Sequence, residues 1–152
     1  MKRKTCCVIG GKVIPADRLD ELENSLEGEL AKALNDGYSR LVCGFSGTAD
    51  TLFALLAGKQ ERRNSNLFLE AFLAYGDETM GEDGRFRQEL TRCNGIRVFS
   101  RRYVAGCFSQ RDEEMILESD RVIAVLDRRN PWAFESLCFA RAVGKEIRMI
   151  SF

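Results

Sequence analysis

Seven consecutive residues, Gly44-Phe45-Ser46-Gly47-Thr48-Ala49-Asp50, bring glycines, hydroxyls and a carboxylate together where an apolar run gives way to an amphipathic one. At such a strand-to-helix turn Gly47 lets the backbone approach a ligand closely. The open amides of Thr48, Ala49 and Asp50 at a helix start can hold an anion, with Ser46 and Thr48 adding hydroxyl donors. The same residues also have a purely structural reading, in which Gly44 and Gly47 make the turn, Ser46 or Thr48 caps the helix, and Asp50 offsets the positive end of its dipole.

Three further groups carry potential chemistry. Gly10-Gly11-Lys12 follows the first apolar run, where small residues admit a ligand and a lysine can neutralise a phosphate. The alternative is a glycine turn with a solvated lysine, since this pair lacks the spacing of a dinucleotide fingerprint. Arg111, followed by Asp112, Glu113 and Glu114, stands where an arginine could clamp an anion, while the acids fit a charge–dipole placement. In the run from Asp127 to Trp132, the indole could stack on a base and Arg128 or Arg129 could meet phosphate. Equally, Trp132 and Phe134 could anchor the last helix with the arginines in solvent.

What is missing excludes several classes of function. There is no histidine, which removes the commonest general base and the usual nucleophilic triads. The six cysteines include no CxxC pair, so they read as reduced, buried residues and no metal is expected. Lys plus Arg equals Asp plus Glu at 23 each, and the absence of a net positive field leads to the expectation of no nucleic-acid and no membrane partner. Behind the basic start, the apolar run of residues 6–9 is too short for a signal peptide or a membrane span. A cytoplasmic protein is the expectation.

These residues need a scaffold, and the 152-residue chain has the length of one domain. Short apolar runs at 5–9, 40–43, 67–75, 96–100, 121–126 and 146–151 read as strands. Longer amphipathic segments at 15–35, 48–63, 108–118 and 132–143 read as helices, and a shorter one at 85–93 follows a polar, glycine-rich loop at 76–84. Pro15 suits a first helical position and Gly37 a position just past a helix end. Alternating strands and helices predict an α/β, three-layer, Rossmann-like domain with a mostly parallel sheet of about six strands and helices on both faces. In such sheets ligands lie beyond the carboxyl ends of the strands, which gathers Gly10, Gly11, Gly44, Ser46, Gly47, Thr48, Asp50, Arg111 and Asp127 at one edge.

Taken in order, the segments CCVIGG (6–11), NDGYSRLVCG (35–44), GTAD (47–50), SRRYVAGCFSQRDEEMILESDRVIAVLD (100–127) and FARAVGKEIRMI (139–150) resemble the SLOG superfamily. This group of Rossmann-like domains is named for the DNA-processing SMF (DprA) proteins and the LOG cytokinin-activating enzymes, and the likeness is to its small bacterial YpsA-like branch. The resemblance implies a ligand-facing turn at Gly44, Gly47 and Asp50, an arginine at Arg111, and a nucleotide-like or nucleotide-derived ligand with no required cofactor. Two features depart from the branch. Ile9-Gly10-Gly11-Lys12-Val13 replaces a Thr-Gly-His-Arg type turn, and Pro131-Trp132-Ala133 stands where a Gly-Gly-Thr turn is usual. The LOG phosphoribohydrolase signature is absent, although Glu135 lies near the place of its glutamate.

The expected function is therefore a non-catalytic sensor or binding domain for a nucleotide-like small molecule. One alternative is a hydrolase of a nucleotide's N-glycosidic bond, with Asp50 or Glu135 as the assisting carboxylate. Another is a non-catalytic oligomeric or partner-binding scaffold with a decayed pocket, which a crevice filled by Trp132 and Phe45 would favour. Homo-oligomerisation is compatible with each.

Overall fold

The computed structural model describes residues 2–64, 66–76, 90–129 and 133–151. Six strands form one sheet: β1 (Thr5–Gly10), β2 (Arg40–Cys43), β3 (Phe68–Leu73), β4 (Gly95–Val98), β5 (Arg121–Leu126) and β6 (Glu146–Ser151). Their order across the sheet is β4-β3-β2-β1-β5-β6, and every pairing is parallel. Strand order reverses at β1, which lies between β2 and β5.

Both faces are covered, as the strands' lack of polar alternation requires. Helices α1 (Leu19–Asn35) and α2 (Thr48–Arg63) bury Leu22, Leu26, Leu30, Phe53 and Ala57 against Cys6, Val8, Leu41, Ile123 and Val125. Helices α3 (Cys107–Glu118) and α4 (Phe134–Ala142) bury Met115, Ile116, Leu137 and Ala140 against Cys7, Ile9, Phe72, Val122 and Ala124 on the other side. Alternate residues of each central strand thus serve two separate cores, the consequence of a side-chain period of two.

Several sequence-based boundaries shift, those of β1 and α3 by a single residue. The expected helix 15–35 opens with a 3-10 turn at Ala16–Arg18, closed by the Arg18 amide donating to the Pro15 carbonyl at 2.9 Å, and only then becomes α-helical. Its other end follows expectation: Gly37 takes φ +90°, and the amides of Gly37 and Tyr38 donate to Leu34 and Ala33, a Schellman closure. Strand β3 is shorter than 67–75, and β4 is displaced from 96–100 to Gly95–Val98. Helix α4 begins at Phe134 rather than 132. The reading of 76–84 as a loop lies, past Gly76, outside the described residues; so does most of the expected helix 85–93, of which Leu90 and Thr91 are helical. The readings of Asn130, Pro131 and Trp132 also fall outside them. No helix among the described residues is long and apolar enough to cross a membrane.

Candidate ligand-binding cleft

A cleft of about 260 Å³ opens at the carboxyl ends of β1 and β5, the point where strand order reverses. Gly10, Gly11, Ser46, Asp50, Arg111, Asp127 and Glu135 line it together with Lys12, Phe108, Asp112 and neighbouring residues. Topology alone assembles this set, since the residues come from five segments spread from 8 to 136. Gly44, Gly47 and Thr48 do not line it.

The turn 44–50 is built around Asp50, which is only 7% exposed. Its Oδ1 accepts from the Gly44 amide at 3.2 Å, and its Oδ2 accepts from the Ser46 amide at 3.1 Å and the Ser46 hydroxyl at 3.3 Å. Burial pushes the Asp50 carboxyl above its ordinary value, against the opposing pull of the Arg111 charge and the Ser46 and Gly44 amides. The clamp holds Phe45 at φ +55°, a left-handed conformation costly for a residue with a side chain, while its ring sits in the α1/α2 core. Phe45 therefore does not fill the crevice, a filling that would have favoured the scaffold alternative.

Arg111 corrects the expectation of an anion clamp. It is 3% exposed, and its guanidinium donates to the Gly44 carbonyl at 2.8 Å, the Ser46 hydroxyl at 2.7 Å and the Phe72 carbonyl at 3.4 Å. Its Nε is paired with Asp112 at 2.7 Å. The arginine ties α3 to the ends of β2 and β3, and a methyl group at Gly44 would sit 2.7 Å from its guanidinium carbon.

The amides at the start of α2 are a second correction. Thr48 donates to the Lys12 carbonyl at 3.1 Å and Ala49 to the Gly11 carbonyl at 3.0 Å, so the loop after β1 takes two of the three amides that were expected to hold a phosphate. This docking explains the glycines: a Cβ at Gly47 would meet the Lys12 Cα at 2.5 Å, and Gly10 and Gly11 have positive φ with the carbonyl of Val125 and the side chain of Ala49 in the way of any Cβ.

Asp127 accepts from the Arg129 amide at 3.0 Å, and Glu135 is exposed on the rim. Sequence reasoning did not single out Phe108 as a site residue. The Lys12 ammonium lies 4.8 Å from the centroid of its ring, and Tyr75 and Tyr103 pack around it with centroids 5.9 and 6.2 Å away. The available signal was positional, because Phe108 opens the helix whose start faces the ligand edge.

No family model matches the chain, and no curated protein does. Solved structures do match. The DNA processing protein A (DprA) of Streptococcus pneumoniae superposes with a TM-score of 0.69 at 15% identity, over 97% of this chain and 50% of that one. The DprA of Helicobacter pylori gives 0.65 at 18% identity, over 97% and 65%. The chain shares its fold with these structures. The Rossmann-like architecture read from the sequence thus holds in three dimensions, and TM1055 also shares the fold, with a TM-score of 0.58 at 17% identity over 95% of this chain and 72% of that one. The chain spans between half and two-thirds of the two DprA chains.

The expectation that no nucleic acid is involved is overturned here: the Helicobacter pylori DprA that shares this fold binds single-stranded DNA. The flaw lay in reasoning from net charge. A sum of zero describes the distant field, whereas a strand is held by local cations and aromatic faces.

Proposed function

We propose that this domain binds a nucleotide-like or nucleotide-derived ligand in the cleft between the ends of β1 and β5, without transforming it. The carrying observation is the cleft's composition: an aromatic face at Phe108, an ammonium at Lys12, and the acceptors Asp127 and Glu135, all at the strand-order reversal. A base can stack on such a face, and carboxylates accept from ribose hydroxyls. At about 260 Å³ the cleft is small for a ligand site, with room for one nucleoside unit rather than a dinucleotide. Both oxygens of Asp50 are already engaged by the turn, which disfavours its use as a hydrolytic carboxylate.

A thermal-shift screen with nucleosides, nucleotides and short single strands tests this reading. A ligand present at about 100 times its dissociation constant is expected to stabilise the wild type by about 2.7 kcal/mol. Ser109→Trp, placed at an exposed position lining the cleft, is expected to fold normally and lose that response. A flat screen of folded wild type overturns the reading.

A second reading is favoured by the aromatic trio. Tyr75, Tyr103 and Phe108 stand with centroids 5.7 to 6.2 Å apart, Tyr103 is 62% exposed, and Arg101 and Arg102 adjoin it on the surface. Such a surface suits a second base beyond the cleft, making the ligand one unit of a single strand.

A further inference from the structure

The donors of the turn 44–50 converge as they would on a bound oxyanion. Two backbone amides, Gly44 and Ser46, and the Ser46 hydroxyl point at one place, and the Arg111 guanidinium stands behind them, bonded to the Gly44 carbonyl and the Ser46 oxygen. This is the donor set that holds phosphate at the start of a helix or in a backbone nest. Here the place is taken by a side chain of the protein itself, the carboxylate of Asp50, 7% exposed and on the cleft wall. The adjoining amides of Thr48 and Ala49 are committed to the carbonyls of Lys12 and Gly11. The other carboxylates of the cleft, Asp112, Asp127 and Glu135, add negative charge where a second anion would have to enter.

We propose that Asp50 is the resident anion of this turn, standing where a ligand phosphate would otherwise sit, so that the cleft recognises its ligand by sugar and base alone. The inference rests on the nucleotide-binding reading above and narrows its ligand class to the nucleoside portion. A phosphate carried by the ligand stays outside the turn, in solvent or beside Lys12. Removing the carboxylate vacates the donors and turns the same turn into a phosphate site.

Two measurements test this at near-physiological salt. Calorimetry of the wild type with adenosine and 5′-AMP, and with uridine and 5′-UMP, is expected to show the monophosphate binding no more than about threefold tighter than its nucleoside, the margin left to a screened contact with Lys12. Asp50→Ser is expected to be destabilised in chloride buffer and to gain a saturable stabilisation by inorganic phosphate that wild type lacks at matched ionic strength. It should also prefer each monophosphate over its nucleoside by about tenfold or more, as a charge-assisted site would. Wild type preferring the monophosphates tenfold, or a folded Asp50→Ser with no phosphate response beyond wild type, overturns the inference while leaving the binding reading intact. No binding by any of the four compounds overturns both. If Asp50→Ser does not fold even in phosphate, the wild-type pairs decide alone.

Discussion

Single atoms at the turn decide what can be changed there. Gly47 faces the backbone of Lys12, with a Cβ approach of 2.5 Å to Cα and 2.8 Å to the carbonyl oxygen, and no flexible side chain can yield. Gly47→Ala is expected to cost about 2 kcal/mol or more by overpacking. Gly28, in the middle of α1, has nothing within 4 Å of the place an added methyl group would take, and Gly28→Ala is expected to stabilise by about 0.5–1 kcal/mol through helix propensity. Urea denaturation of the pair checks both signs; equal effects would show that the docked β1 loop does not constrain Gly47. Of the cysteines expected to be buried, Cys6, Cys7, Cys43 and Cys107 are, whereas Cys93 is half-buried and Cys138 lies exposed on α4. Burial pushes the Cys7 thiol up to about 12, so it behaves as a small apolar side chain in the α3/α4 core.

Between elements, one arginine at the amino-terminal edge of the sheet links the end of α1 with β5 and β6. Arg121, at the start of β5 and 4% exposed, donates to Asp36 past the end of α1 at 2.7 Å and to Glu146 of β6 at 3.1 Å. Its guanidinium lies 4.5 Å from the Tyr38 ring centroid, with the Lys4 ammonium 4.6 Å from the same centroid. The hydrogen bonds from Arg121 hold both carboxyls below their ordinary values of 3.8 and 4.5. Lowered folded-state values mean that the unfolded chain binds protons more readily. Their contribution is therefore complete above pH 4.5 and is lost as pH falls through the lowered values. Arg121→Met is expected to be less stable than wild type near neutrality and to lose less stability on acidification. Since both carboxylates are largely exposed, the difference is modest. Urea midpoints of the two proteins across this range measure it, and parallel pH curves would show that Arg121 does not set these carboxyls.

At the scale of the whole molecule, a net charge of zero coexists with a local basic and aromatic rim formed by Lys12, Arg101, Arg102 and Tyr103. If a single strand uses this rim, about three phosphate contacts give a salt slope near −2 in a plot of log affinity against log salt. Tyr103→Ala should weaken that binding by about 1–3 kcal/mol. Fluorescence anisotropy with a labelled oligonucleotide measures both, and a slope near zero, or an unchanged Tyr103→Ala, would remove the strand reading. Much of this architecture was legible in the amino-acid order. Runs such as VIAV separated by amphipathic helices require a covered parallel sheet, and the rule for such sheets points to one edge, where Gly10, Gly11, Asp50 and Asp127 do meet. Periodicity carries that information because burial acts on each segment separately. It could not say which partner each donor would choose. The amides of Thr48 and Ala49 and the guanidinium of Arg111 had to be satisfied, and only the approach of distant segments determined that Gly11, Lys12, Gly44 and Ser46 would satisfy them. Hydrogen-bond partners at a site are settled by three-dimensional proximity, which local pattern does not encode.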